Sequence, residues 1–177
     1  MSRKGLAEPT TAYHRALLRL GRRDHSEAEL RRALLGRGHP PEEVEAALER
    51  LRAKRYLDDP AFAERFARSR LAGRGQGRLR VRQGLRERGV ERRVAEAGLR
   101  AALRDVPEAE VLDGVARRYW RLRASDEPAL RIRKLWAFLL RRGFPAGLVG
   151  ERLRALWPRW QDALEGLEPP FEPADEP

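Results

Sequence analysis

Three glycines constrain this chain more than any other feature. Gly38, Gly89 and Gly143 recur at spacings of 51 and 54 residues, and the same apolar pattern surrounds each. Eight, five and four residues before the glycine stand Leu30/Ala33/Leu34, Val81/Gly84/Leu85 and Leu135/Phe138/Leu139. Ten residues after it stand Leu48, Leu99 and Leu153. Positions three and four apart share one face of an α-helix, and a glycine just past such a run is the usual helix end. A period near 50 residues predicts an array of like units, each too small to bury a core alone. The expected fold is all-α: three tandem three-helix repeats stacked into an elongated, slightly curved body. The expected divisions are a lead-in over 1–11, repeats over 12–58, 59–104 and 105–160, and an acidic, Pro-rich tail over 161–177. No period-two run predicts a strand.

Helix starts punctuate the array. Ala12 opens a helix whose face is Tyr13, Ala16, Leu17 and Leu20. Ser26-Glu27-Ala28-Glu29 spells a capping box, in which the Ser oxygen and the Glu carboxylate satisfy backbone N–H groups left open at a helix start. Pro40-Pro41-Glu42-Glu43 starts a third helix carrying Val44, Leu48 and Leu51 to about Arg55. Asp59 is expected as an N-cap, with Pro60 in the first turn. Phe62 and Phe66 share the next face, with Ala63, Ala67 and Leu71 beside them. Beyond Gly89, Val94 and Leu99 anchor a helix ending near Arg104. From Pro107 the stripe is Val111, Val115, Tyr119 and Leu122, and Asp126-Glu127-Pro128 marks a new start.

Charge narrows the function. The net charge of +11 is uneven: residues 59–104 hold thirteen Arg against five acids, whereas 161–177 hold six acids and no basic residue. A basic middle suits a polyanionic partner, nucleic acid or a nucleoprotein first. Three Lys, no Asn and one Ile indicate a compositional bias toward Arg, so part of this charge can be a solvated surface. That bias does not explain why the excess gathers in the middle third. The absence of cysteine excludes disulfides, thiolate metal sites and cysteine nucleophiles. No apolar run approaches the roughly 18 residues of a membrane helix, and a soluble, cytoplasmic protein is expected.

The segment Gly73-Arg74-Gly75-Gln76-Gly77 invites a phosphate-loop reading, but a helix precedes it and no Lys-Ser/Thr follows. A flexible helix–helix loop with glycines at positive φ is the simpler reading. Arg74 and Arg78 could still hold a phosphate at the following helix start. Arg78, Arg82 and Arg86 form a stripe at helical spacing, broadened by Arg80 and Arg88. The stripe is either a solvated face or a row of guanidinium groups able to pair bidentately with phosphate or carboxylate. Asp58-Asp59 is read as helix punctuation, not as a metal or acid–base pair. His14, His25 and His39 lack metal spacing, and Ser69 and Ser125 lie in no nucleophile context. No catalytic constellation, metal site or cofactor is expected. Trp120, Trp136, Trp157 and Trp160 read as core rather than base-stacking platforms. A helix-turn-helix reader of base edges is disfavoured: the candidate recognition segment 42–51 is acidic, and 90–100 has no Asn, Gln, Ser or Thr.

The run Leu57-Asp58-Asp59-x-x-Phe62-Ala63, with Arg70, Gly75-x-Gly77 and the Leu85-x-x-x-Gly89 helix end, resembles the RecX family, regulators of the bacterial RecA recombinase. The upstream Arg23-Asp24-His25-Ser26-Glu27-x-Glu29-Leu30 resembles a second family segment. The resemblance is close over 12–104 and reduces to a hydrophobic skeleton beyond. The Arg load of the middle repeat and the acidic tail depart from the family pattern. The resemblance implies a small cytoplasmic, three-repeat α-helical protein with no catalysis of its own, and a monomer is expected. It would bind RecA in the groove of the RecA–DNA filament and restrain filament growth, ATP hydrolysis and strand exchange, and so modulate recombination and the SOS response. The expected contact residues are Arg70, Arg74, Arg78, Arg80, Arg82, Arg86 and Arg88. The expected scaffold is Asp58, Asp59, Phe62, Phe66, Gly75, Gly77 and Gly89. Two other readings stay open: a non-specific DNA-binding protein that needs no RecA, and a helical adaptor for another acidic protein.

Overall fold

The structure, a computed structural model, describes residues 11–157. Among these residues there are nine α-helices and no strand: α1 Ala12–Leu20, α2 Glu27–Leu35, α3 Pro41–Ala53, α4 Asp59–Arg68, α5 Arg78–Glu87, α6 Arg92–Asp105, α7 Glu108–Leu122, α8 Pro128–Arg141 and α9 Ala146–Leu156. A π-helical turn, Ser69–Gly73, continues α4. The fold is three tandem three-helix repeats. Trp160 and the acidic tail lie outside the described residues, as does the lead-in up to residue 10.

The glycine register holds in detail. Gly38, Gly89 and Gly143 have φ of 84°, 74° and 85°, a backbone conformation that a β-carbon disfavours. After each, the next N–H (His39, Val90, Phe144) donates to the carbonyl of Leu34, Leu85 or Leu139. That is the Schellman closure of a helix end. The residues eight and four before each glycine are fully buried, and those ten after it are at most 2% exposed. Ala33, Gly84 and Phe138, five before, are only half-buried. The end of α3 uses the same closure with an arginine: Arg55 has φ 56°, and the Tyr56 N–H donates to the Leu51 carbonyl at 2.9 Å.

The chain forms two compact units. One comprises the described residues up to Arg65 together with Leu85–Gly98, the other Phe66–Gly84 with the described residues from Leu99 onward. In the first, α1, α2 and α3 pack on one another around Ala16, Leu30, Leu34, Val44, Leu48 and Leu51, with Tyr13, Leu17 and Leu20 at the margin. In the second, α7, α8 and α9 enclose Leu112, Ala116, Ile132, Leu135, Leu139, Phe144, Val149 and Leu153. The core face of α7 is therefore Leu112 and Ala116, one position on from the expected stripe. Val111, Val115 and Tyr119 pack at its edge, and Leu122 is 74% exposed. Trp120, Trp136 and Trp157 pack against this core, with the Trp120 and Trp157 ring centroids 4.6 Å apart.

Each unit contains a joint of the same design. In the first, the Ser26 hydroxyl accepts from the Glu29 N–H while the Glu29 carboxylate accepts from the Ser26 N–H, completing the capping box. The same hydroxyl donates to the Arg88 carbonyl at 2.6 Å, and Gly89 lies so close that a β-carbon there would sit 2.5 Å from Ala28 Cβ. The Glu27 N–H donates to Asp59 Oδ1 at 2.9 Å. In the second unit, the Gly77 N–H donates to the Arg142 carbonyl at 2.9 Å and the Leu79 N–H to the Gly143 carbonyl at 3.0 Å. A β-carbon on Gly77 would lie 2.3 Å from the Gly143 carbonyl oxygen. The Arg78 N–H donates to Glu108 Oε1 at 2.6 Å. Both joints thus hold the carbonyl preceding a helix-ending glycine, and in both a carboxylate from the next repeat caps the start of a second helix.

Candidate partner-binding site

The two aspartates of the Leu57-Asp58-Asp59 run have separate tasks. Asp58 caps α4: its Oδ1 accepts from the Ala61 N–H at 2.8 Å and its carbonyl from the Phe62 N–H. Asp59, expected as that cap, is instead spent on the N-terminus of α2. Burial pushes its carboxyl above the ordinary range; the Glu27 N–H opposes this, and the nearby Glu27, Asp58 and Glu29 carboxylates add to it. Glu108 does the equivalent task for α5. Burial raises its pKa against the Arg78 N–H and the charges of Arg78 and Arg82. Phe62 is buried, and Phe66 is half-buried with the Arg70 guanidinium 4.7 Å from its ring centroid.

The glycine-rich segment, expected as a flexible helix–helix loop, joins two helices and is hydrogen-bonded through Gly77 to the Arg142 carbonyl. Gly75 has φ 57° and supplies the left-handed turn. Gly77 serves close approach instead, being pressed on the Gly143 backbone. The Arg142 guanidinium reaches back over this segment, donating to the Arg74 carbonyl and, at 3.2 Å, to the Gly75 carbonyl. The result is a cavity of about 500 Å³ lined by Arg74, Gln76, Arg80, Arg141 and Arg142.

Of the expected contact residues, only Arg74 and Arg80 reach this cavity. Arg78 is half-committed to Glu108, with Nη1 3.5 Å from Oε2. Arg82 is half-buried and bears on the same carboxylate. Arg70 is occupied with Phe66. Arg86 is exposed, and Arg88 is half-buried with Nε 3.8 Å from Glu29; both belong to the first unit. The evenly spaced row therefore differs in chemistry along its length. Arg141 and Arg142 went unforeseen, although they stand immediately before Gly143, where the joint brings a carbonyl and its side-chain neighbours to the Gly77 segment. Among the described residues no group of three or more His, Asp or Glu could hold a metal ion. No described helix is long and apolar enough to cross a membrane.

Sequence models of the first, second and third three-helix domains of RecX match residues 12–51, 58–99 and 107–153. The chain belongs to the RecX family. The regulatory protein RecX of Thermobifida fusca is 35% identical over 176 residues, covering 97% of this chain and 92% of its own. That of Halorhodospira halophila is 41% identical over 157 residues, covering 84% of this chain and 89% of its own. A crystal structure of a regulatory protein RecX matches with a TM-score of 0.67 at 26% identity, over 79% of this chain and 70% of that one. RecX from Lactobacillus salivarius matches with a TM-score of 0.71 over 82% of this chain and 94% of that one; at 18% identity it speaks for the fold alone. This RecX chain thus carries the family's three domains together with an arginine-lined cavity in its second unit.

Proposed function

We propose that this RecX chain is a non-catalytic, cytoplasmic regulator of RecA that binds the RecA filament on DNA and inhibits its growth, ATP hydrolysis and strand exchange. Recombination and the SOS response are the processes it would modulate. Membership of a family of regulatory proteins supports the reading. The observation that carries it is the unmatched arginine charge of the middle repeat. Among the described residues, Arg74, Arg80 and Arg86 have no carboxylate partner, so their charge is available to a polyanionic assembly. Arg70, Arg74, Arg78, Arg80, Arg82, Arg86 and Arg88 are the proposed contact set. Asp58, Asp59, Phe62, Phe66, Gly75, Gly77 and Gly89 are its scaffold. The repeats proposed to act as units are 12–58, 59–104 and 105–160.

The test titrates the protein into RecA, single-stranded DNA and ATP and follows hydrolysis, with a DNA-only binding control. Hydrolysis should fall. The variant Arg74→Glu/Arg86→Glu should need at least tenfold more protein for the same inhibition while keeping its helicity. Unchanged inhibition by that variant would remove the surface assignment, and no inhibition by the wild type would remove RecA. Tight, steeply salt-dependent binding to bare DNA, with no effect on RecA, would favour the RecA-independent reading instead.

A further inference from the structure

Several guanidinium groups among the described residues are matched to acids. Arg23 pairs with Glu29, Arg31 with Glu27 and Glu45, Arg65 with Asp24, Arg68 with Asp105, and Arg152 with Asp113. The cavity beside Gly77 differs in gathering several arginines around one space. Four arginines, Arg74, Arg80, Arg141 and Arg142, line one space of about 500 Å³, and no described carboxylate pairs with any of them. Like charges that line one space repel, so their placement needs support from the backbone. Arg142 is fixed by the Arg74 and Gly75 carbonyls, and Arg80 follows directly on the turn docked against Gly143. Gln76 adds an uncharged donor, while no apolar or aromatic side chain lines the space.

We propose that this cavity is a binding site for a compact polyphosphate, such as the phosphate chain of a nucleoside triphosphate or inorganic tripolyphosphate. The volume lies within the range of small-molecule sites, roughly 300–1,000 Å³. Planar guanidinium forks match phosphate oxygens bidentately. Four converging charges exceed what one phosphodiester supplies, whereas a terminal phosphate carries close to two charges at neutral pH. A lining without aromatic or apolar groups offers a base no stacking surface, so adenine and guanine nucleotides should bind alike. The site shares Arg74 and Arg80 with the proposed RecA contact set, but polyphosphate binding is measured on this chain alone and does not depend on that reading.

The experiment is calorimetric titration of the full chain with sodium tripolyphosphate, ATP, GTP, adenosine and a short single-stranded oligonucleotide at one fixed ionic strength. Tripolyphosphate, ATP and GTP should bind within threefold of one another, and adenosine should not bind. Arg80→Ala and Arg141→Ala, each at an exposed position, should weaken tripolyphosphate at least tenfold with an unchanged helical spectrum. Arg117→Ala, an exposed arginine of α7 outside the cavity, should change it less than twofold. Equal losses in all three variants would reduce the effect to net charge and overturn the site. Binding of the oligonucleotide without tripolyphosphate would overturn it as well. Both results are read in the absence of RecA, so they are distinguishable from a failure of the RecA reading, which is decided by the hydrolysis assay.

Discussion

Replacing Gly77 by alanine tests the second joint directly. The added β-carbon would lie 2.3 Å from the Gly143 carbonyl oxygen, 2.4 Å from its carbon and 2.4 Å from the Phe144 nitrogen. These neighbours are backbone atoms, so no rotamer change relieves the contact, and α5 must move away from Gly143. That movement stretches the bonds from Gly77 N–H to Arg142 and from Leu79 N–H to Gly143, at 2.9 and 3.0 Å. Overpacking costs about 1–3 kcal/mol, and each backbone bond contributes about 1 kcal/mol. A total near 3 kcal/mol should lower the melting midpoint by about 6–12 °C for a chain of this size. Gly114→Ala is the control. Gly114 lies within α7 with an open surround, and Ala should stabilise that helix by about 0.5–1 kcal/mol. Thermal unfolding followed by circular dichroism at 222 nm measures both. If Gly77→Ala melts within 2 °C of the wild type, the close approach does not hold the joint and the account of this loop is wrong.

Asp59→Asn keeps an acceptor for the Glu27 N–H but removes a buried charge, whereas Asp59→Ala leaves that N–H without its partner. The Ala variant should lose about 1–2 kcal/mol in urea unfolding. Because the folded pKa of Asp59 is raised, the stability it contributes is full below the unfolded value and lost as pH rises through the folded one. The Asn variant should therefore gain on the wild type as pH rises above the ordinary aspartate value of about 4, and a difference that does not change with pH would contradict the raised pKa. His25 has the opposite sign: burial, then Arg23, lower its pKa, with Arg19 adding to them and Glu29 and Asp24 opposing. Its contribution is present above its ordinary value of about 6.5 and lost as pH falls through the folded value, so His25→Gln should flatten the loss of stability on acidification from pH 7 to 5. Arg55→Gly should stabilise the end of α3 by up to about 1 kcal/mol, since Arg55 holds a left-handed φ of 56°, and any loss in thermal unfolding would show that its side chain matters more than its backbone.

The periodic part of the fold is legible in the sequence because it follows one-dimensional rules. Glycine at a left-handed helix end and leucine four residues before it are local requirements, and both recur in all three repeats. The exposure of Leu122 was not legible, because one residue shifts a helix face by about 100° and only packing decides which of two adjacent apolar stripes is buried. The roles of Asp59 and Glu108 were hidden for another reason. Each caps a helix about thirty residues earlier in the chain, and local pattern assigns a carboxylate to the helix it precedes. Arg141 and Arg142 are not legible as site residues from charge along one helix, because the cavity is assembled from two segments that meet at Gly77 and Gly143.

The two joints solve one problem with different donors. The carbonyl before the helix-ending glycine must be satisfied where two chain segments press together, because a buried, unpaired polar group costs about 1–3 kcal/mol. In the first unit a side chain does this, the Ser26 hydroxyl donating to Arg88. In the second unit glycine holds the corresponding position, and the backbone N–H of Gly77 donates to Arg142 directly. The second solution removes the side chain between the segments and brings α5 into backbone contact with Gly143. It also leaves room for the Arg142 guanidinium to reach the Arg74 and Gly75 carbonyls. The arginine cavity is lined by residues on either side of this glycine contact. Where serine stands, the joint carries its own polar side chain; where glycine stands, the backbones meet directly.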